Sequence, residues 1–231
     1  MADLRIIRPL SEVPARTRLV CFPHIAGGPA MFASWADALT PGTDLCLPLF
    51  PGRERSFDQR PFTDMDELCA ALHDAVAPLM DLPVAFFGDC FGALVAFRLA
   101  QRMGAAGPSV VIAHGLAAPR LPAGAGLPRS DAPTGELVAY LKREGGTDPA
   151  LLDDPDWMEI LEPSVRGDLA VAESYRHDPT PLDIPITVLM KAADEDVTAW
   201  SGLTGADFAL RVSHRDWPGV ARAAEQEIAR L

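Results

Sequence analysis

The chain has 231 residues, 48% of them hydrophobic and 23% charged, with a formal net charge of −12 at pH 7. Such a balance is globular and long enough to bury a sizeable core, and its sign speaks against nucleic acid and against long-range attraction to an acidic partner without a local basic patch. No apolar run reaches the ~18 residues needed to span a membrane, and four cysteines (Cys21, Cys46, Cys69, Cys90) with no CxxC pair give no reason to expect disulfides or a metal site.

In chain order, the opening MADLRIIRPL lacks the apolar core of a signal peptide, so a cytoplasmic protein is expected. Strands are predicted over 17–23, 43–50, 83–89, 109–115, 185–192 and 208–213. Most are continuous apolar runs, as parallel strands covered on both faces require. Helical stretches lie between them at 30–39, 64–80, 91–104 and 218–231, with Gly104 as a C-cap and Pro218 in the first turn of the last. This alternation is the signature of a parallel α/β sheet in a single domain over 1–231. It breaks at 121–180. There PTGELVAYLKREGG reads as a capped amphipathic helix starting at Thr134, followed by short pieces interrupted by Pro149, Pro155 and Pro163. The segment is read as a helical lid inserted within the domain, with Trp157, Met158 and Leu161 facing a pocket.

FFGDCFG, residues 86–92, carries the chemistry. Gly88-x-Cys90-x-Gly92 between a buried strand and a buried helix is the setting of a nucleophile elbow, in which the glycines leave room for a sharp turn and the nucleophile projects above the sheet. Cys90 takes the nucleophile's place, and the helix N-terminus beneath it is expected to favour thiolate. Cys21, Cys46 and Cys69 are read as buried small residues. A nucleophile needs a base and an orienting acid. His214 ends the last strand and Asp194 follows the strand before it, giving the order Cys…Asp…His, with Asp196 as the alternative acid. His24, His73 and His177 are less well placed; His114, ending the strand after the elbow, is the other histidine able to face the pocket. The Gly-rich loop 21–30 can bring a backbone N–H toward Cys90, forming an oxyanion hole with the N–H of Phe91. Neither GxGxxG nor GxxxxGK[ST] occurs, which speaks against a nucleotide site.

Four stretches resemble the type II thioesterases of polyketide and nonribosomal peptide assembly lines: RLVCFPHIAGGPAMFASWADAL, LPLFPGRERSFDQRPFTDMDEL, LPVAFFGDCFGALVAFRLA and AVAESYRHDPTPLDIPITVL. The similarity runs over about residues 17–231. It implies an α/β-hydrolase fold with a helical lid, no cofactor of the enzyme's own, and a substrate held as a thioester on the phosphopantetheine arm of an acyl or peptidyl carrier protein. The chain departs from the family pattern in four ways. Asp89 and Cys90 stand where the family elbow has histidine and serine. The first loop is one residue longer, leaving Ile25 and Ala26 as alternative oxyanion donors. A shortened VSHRDW segment puts Trp217 at the histidine position unless a gap is allowed, and the gap is preferred because tryptophan cannot act as a base.

A cysteine elbow resembles the off-loading Dieckmann cyclases of tetramate and pyridone pathways. Members of that subgroup can carry the acid after the strand following the elbow. Here GLAA (115–118) has no carboxylate, so Asp194 must serve. The expectation is thioester exchange onto Cys90, then proton removal by the freed His214 from a carbon flanked by two carbonyls, and attack of that carbon on the thioester. The alternative is an editing thioesterase that releases free acid. A non-catalytic carrier-protein-binding relic is the third reading, and a retained Cys/Asp/His set speaks against it.

Overall fold

The computed structural model describes residues 4–9, 13–119, 127–145, 147–190, 195–212 and 217–231, with Glu195 and Asp196 described by backbone alone. Seven strands among these residues form one sheet: β1 (Arg5–Ile7), β2 (Thr17–Phe22), β3 (Thr43–Leu49), β4 (Val84–Asp89), β5 (Val110–His114), β6 (Ile186–Met190) and β7 (Phe208–Val212). Their spatial order is β1-β3-β2-β4-β5-β6-β7. All neighbours pair in parallel except β1, which runs antiparallel to β3 at the edge. The six apolar runs became β2 to β7 within a residue or two. Only β1 was not anticipated: three residues, none buried, carry too little pattern.

Side-chain alternation splits the core in two. Val20, Phe22, Phe86 and Val111 face one layer, which α1 (Met65–Val76) and α2 (Phe91–Met103) cover. Leu19, Cys21, Phe87 and Ile112 face the other, with Phe32, Trp35 and the C-terminal helix. Phe32 and Trp35 belong to a 3-10 helix, Pro29–Trp35, where an α-helical stretch was expected. Their spacing of three suits its period, and both rings are fully buried. Asp64 caps α1 through its carboxylate, at 2.9 and 3.0 Å from the N–H groups of Asp66 and Glu67.

Between β5 and β6 come α3 (Thr134–Glu144), α4 (Pro149–Leu152) and α5 (Pro155–Ser174). The expected cap on α3 is not made by a side chain: Pro133 stands at its N-cap. α5 also corrects the sequence reading, which broke it at Pro163. It runs through that proline for 20 residues. Packing explains this: Val165, Leu169, Val171 and Ala172 are buried in the core, and the Ser164 hydroxyl donates to the Leu161 carbonyl at 2.8 Å in the turn beside the proline. A short α6 (Glu195–Thr198) follows β6, and α7 (Trp217–Ile228) closes the chain.

Candidate active site

β4 and α2 meet at Cys90, whose backbone has φ of +50°, a conformation a non-glycine residue adopts only when its surroundings enforce it. Two glycines make that possible. A Cβ on Gly88 would sit 2.3 Å from the Gly92 carbonyl oxygen, and one on Gly92 would sit 2.1 Å from the Phe22 carbonyl oxygen. The Cys90 N–H donates to the His114 carbonyl at 2.8 Å, tying the elbow to the end of β5. The thiol is half-buried, whereas Cys21, Cys46 and Cys69 are free and buried, as expected for packing residues.

A cavity of about 330 Å³ opens beside Cys90. His24, Ile25, Asp89, His114, Tyr140 and Glu144 line it together with the thiol. Its cover therefore comes from α3. Trp157, Met158 and Leu161, expected at the pocket, do not line it: Trp157 is 39% exposed, Met158 is buried, and Leu161 is half-buried. Met158 instead borders a separate hollow with Thr134, Glu162 and Arg166. The amphipathic pattern of α5 marked a buried face, and that face packs on the core.

The Cys90 thiol is pushed up to about 12 from an ordinary value of 9.0, chiefly by burial and secondly by the Asp89 carboxylate, with the Phe91 N–H pulling the other way. This corrects the expectation that the helix N-terminus would favour thiolate: desolvation and a like charge outweigh it. Phe91 is the first residue of α2, so its N–H has no intrahelical acceptor.

In the first loop the two candidate N–H groups, of Ile25 and Ala26, differ in their surroundings. The Ala26 N–H donates to Asp168 Oδ2 at 2.8 Å, so it is already occupied. Ile25 lines the cavity, and its N–H has no hydrogen-bond partner among the described residues. Asp168, on α5, also pairs with Arg53 at 2.7 Å, and Arg53 donates to the Gly27 carbonyl at 2.7 Å. Glu54 accepts from the Ala30 N–H at 2.9 Å. The Pro-Gly-Arg-Glu stretch is thus the clamp on this loop, a role that spacing alone does not reveal.

Asp194 and His214 lie outside the described residues, and Asp196 is described by its backbone alone. The remaining histidines are placed. His73 sits on α1 with Asp74 at 3.3 Å, His177 lies 3.4 Å from the Tyr175 hydroxyl, and His24 Nδ1 is 2.8 Å from the Ile25 carbonyl. His114 Nδ1 is 2.7 Å from Asp89 Oδ1. Trp217 packs against Trp35 and Phe32, and its indole N–H donates to the Met31 carbonyl at 2.7 Å. Its place is structural.

A mostly parallel sheet with a strained strand-turn-helix elbow at Cys90 and helices inserted after β5 defines an α/β hydrolase. Comparison with known proteins narrows this. The chain belongs to the thioesterase-domain family, whose model matches residues 17–227. It is 29% identical over 208 residues to the gramicidin S biosynthesis protein GrsT of Aneurinibacillus migulanus, covering 85% of this chain and 80% of that one. Thioesterase PikA5 of Streptomyces venezuelae is 30% identical over 205 residues, covering 84% and 72%. The solved structure of the type II thioesterase BorB from the borrelidin biosynthetic cluster superposes with a TM-score of 0.82 at 30% identity, covering 96% of this chain and 97% of that one.

Proposed function

We propose that the protein off-loads an acyl or peptidyl thioester from a carrier protein in polyketide or nonribosomal peptide biosynthesis, through an acyl-enzyme on Cys90, and releases it by Dieckmann cyclisation to a tetramate- or pyridone-type ring. The single observation that carries this is a cysteine in the strained elbow, opening onto a cavity. The named relatives support the thioester substrate and the carrier-protein partner. The helices between β5 and β6 act as the lid, with α3 over the cavity.

In the first half-reaction His214 takes the Cys90 proton as sulfur attacks, and returns it to the departing pantetheine thiol. Asp194 orients that imidazole, with Asp196 as the alternative acid. A base is required because a thiol near 12 holds only about one part in 10⁵ as thiolate at pH 7. The N–H groups of Phe91 and Ile25 receive the oxyanion; Ala26 serves instead only if Asp168 lets go. Exchange of one thioester for another is nearly thermoneutral, so the acyl group stays activated. Its β-dicarbonyl carbon then attacks the thioester and expels Cys90, with proximity in the cavity replacing a bimolecular encounter.

Hydrolysis to free acid is the second reading, favoured by relatives whose names say thioesterase. Mass spectrometry of products from a β-ketoacyl-aminoacyl pantetheine thioester separates the two. Cyclisation predicts ring product from the wild type. It also predicts a strongly slowed Cys90→Ser variant drifting toward acid, because the oxygen ester is the weaker electrophile and alkoxide the poorer leaving group. Linear acid from the wild type, with ring product no higher than without enzyme, would sink the cyclase reading. A Cys90→Ser variant that hydrolyses as well or better would point to the editing enzyme.

A further inference from the structure

Asp89 and His114 are direct neighbours across the β4–β5 ladder, each the last residue of its strand. Alternation puts Asp89 after Phe87 and His114 after Ile112, on the face covered by α7. The imidazole is held on three sides. Asp89 Oδ1 lies 2.7 Å from Nδ1, the Phe87 ring stacks at 6.2 Å, and the Trp217 ring stands edge-on at 6.1 Å. A carboxylate accepts only, so Nδ1 carries a proton and Nε2 of the neutral ring carries the lone pair. Nε2 has no hydrogen-bond partner among the described residues. Both side chains line the cavity beside the thiol. An orienting carboxylate, a fixed tautomer and an open ring nitrogen at the substrate cavity are the parts of a general base.

We propose that His114, oriented by Asp89, is the base of the second half-reaction, distinct from the base that loads Cys90. The assignment rests on the proposed Cys90 acyl-enzyme. Its Nε2 takes the proton from the β-dicarbonyl carbon. That carbon forms the new C–C bond to the thioester carbonyl, the C–S bond breaks, and the proton passes from the imidazolium to the Cys90 sulfur. The thiol and the neutral imidazole are restored with no external reactant. Two chain features favour one residue for this transfer. The Cys90 N–H is hydrogen-bonded to the His114 carbonyl, which ties the two residues together at the cavity they both line. A thiolate buried beside Asp89 is a poor leaving group until it is protonated, so the base must deliver its proton to that sulfur. Where water is the nucleophile, the same nitrogen takes the water's proton. Among the described residues, the other ionisable groups on the cavity are His24, Tyr140 and Glu144, and none of them hydrogen-bonds to the His114 ring.

The test is intact-protein mass spectrometry during single turnover of the full chain with a β-ketoacyl-aminoacyl pantetheine thioester, alongside product release. His114→Gln should load Cys90 at close to the wild-type rate, accumulate the acyl adduct, and release product at least tenfold more slowly. His214→Ala should instead fail to load. Asp89→Asn keeps a hydrogen-bond acceptor but removes the charge, so the pH at which product release is half-maximal should fall while loading persists. Wild-type release by a folded His114→Gln variant overturns the assignment, as does equal loss of loading and release. Should His114→Gln not fold, an unchanged release profile in Asp89→Asn overturns it. If the wild type never carries an acyl group on Cys90, it is the acyl-enzyme reading that fails, whatever the His114 variants do.

Discussion

At the scale of the residue, the thiol is the point on which sequence and structure part. G-x-C-x-G located the elbow, because glycine is required at both flanking positions by backbone carbonyls only 2.1–2.3 Å from an added Cβ. The protonation state was not legible, since it depends on burial and on the Asp89 carboxylate brought beside Cys90 by the turn itself. A raised thiol has a measurable consequence. Alkylation by iodoacetamide follows the thiolate fraction, so the labelling rate of Cys90 should rise about tenfold per pH unit from pH 7 to 9 without a plateau. Cys21, Cys46 and Cys69, all buried, should stay unlabelled in the native protein. A plateau below pH 8, read by peptide mass spectrometry, would mean that Cys90 is a stabilised thiolate and that no base is needed to load it.

At the scale of the element, periodicity served strands better than the inserted helices. β2 to β7 were legible because each is an apolar run bounded by turn residues. α5 was not, because a proline that stops an isolated helix is overridden when four later residues are buried on the core. The Asp89–His114 pair had a signal that could have been used: two neighbouring parallel strands each end in a titratable residue, and aligning their ends places the two together. The Arg53–Asp168 pair had none, being 115 residues apart in the chain. That pair joins α5 to the first loop. Both side chains are only 5% exposed. Asp168→Ala would strand the guanidinium in the interior and free the Ala26 N–H. Breaking a buried pair from one side costs about 3–5 kcal/mol, so urea denaturation should show a loss of that size. Double replacement of Arg53 and Asp168 by apolar residues should recover part of it. A loss under ~1 kcal/mol, the worth of an exposed pair, would mean that α5 and the first loop are not coupled through this contact.

At the scale of the whole molecule, the interior is a store of protons that alkali removes. Cys46, Cys69 and Cys90 are each pushed up to about 12, and Cys21 well above 9.0, all chiefly by burial. Tyr175 is raised to about 12 for the same reason. In the unfolded chain the thiols ionise near their ordinary value of 9.0. Between about pH 9 and 12 the native state therefore holds more protons than the unfolded state, and stability must fall as pH rises. Below pH 9 both states are protonated and the contribution is fully present. Each thiol gives a slope of about 1.4 kcal/mol per pH unit, and four together about 5.5 kcal/mol per unit. The net charge of −12 acts in the same direction, because every proton lost adds to self-repulsion. The expected result is a free energy of unfolding that is flat from pH 7 to 8.5 and drops steeply from pH 9.5 to 10.5. Cys69→Ala isolates one proton of this linkage: Cys69 is fully buried on α1, away from the elbow. The variant should lose some stability at pH 7 and show an alkaline slope shallower than the wild type by about 1.4 kcal/mol per unit. Identical slopes in the two proteins would mean that Cys69 ionises in the native state as readily as in the unfolded one, and that solvent reaches this side of the core.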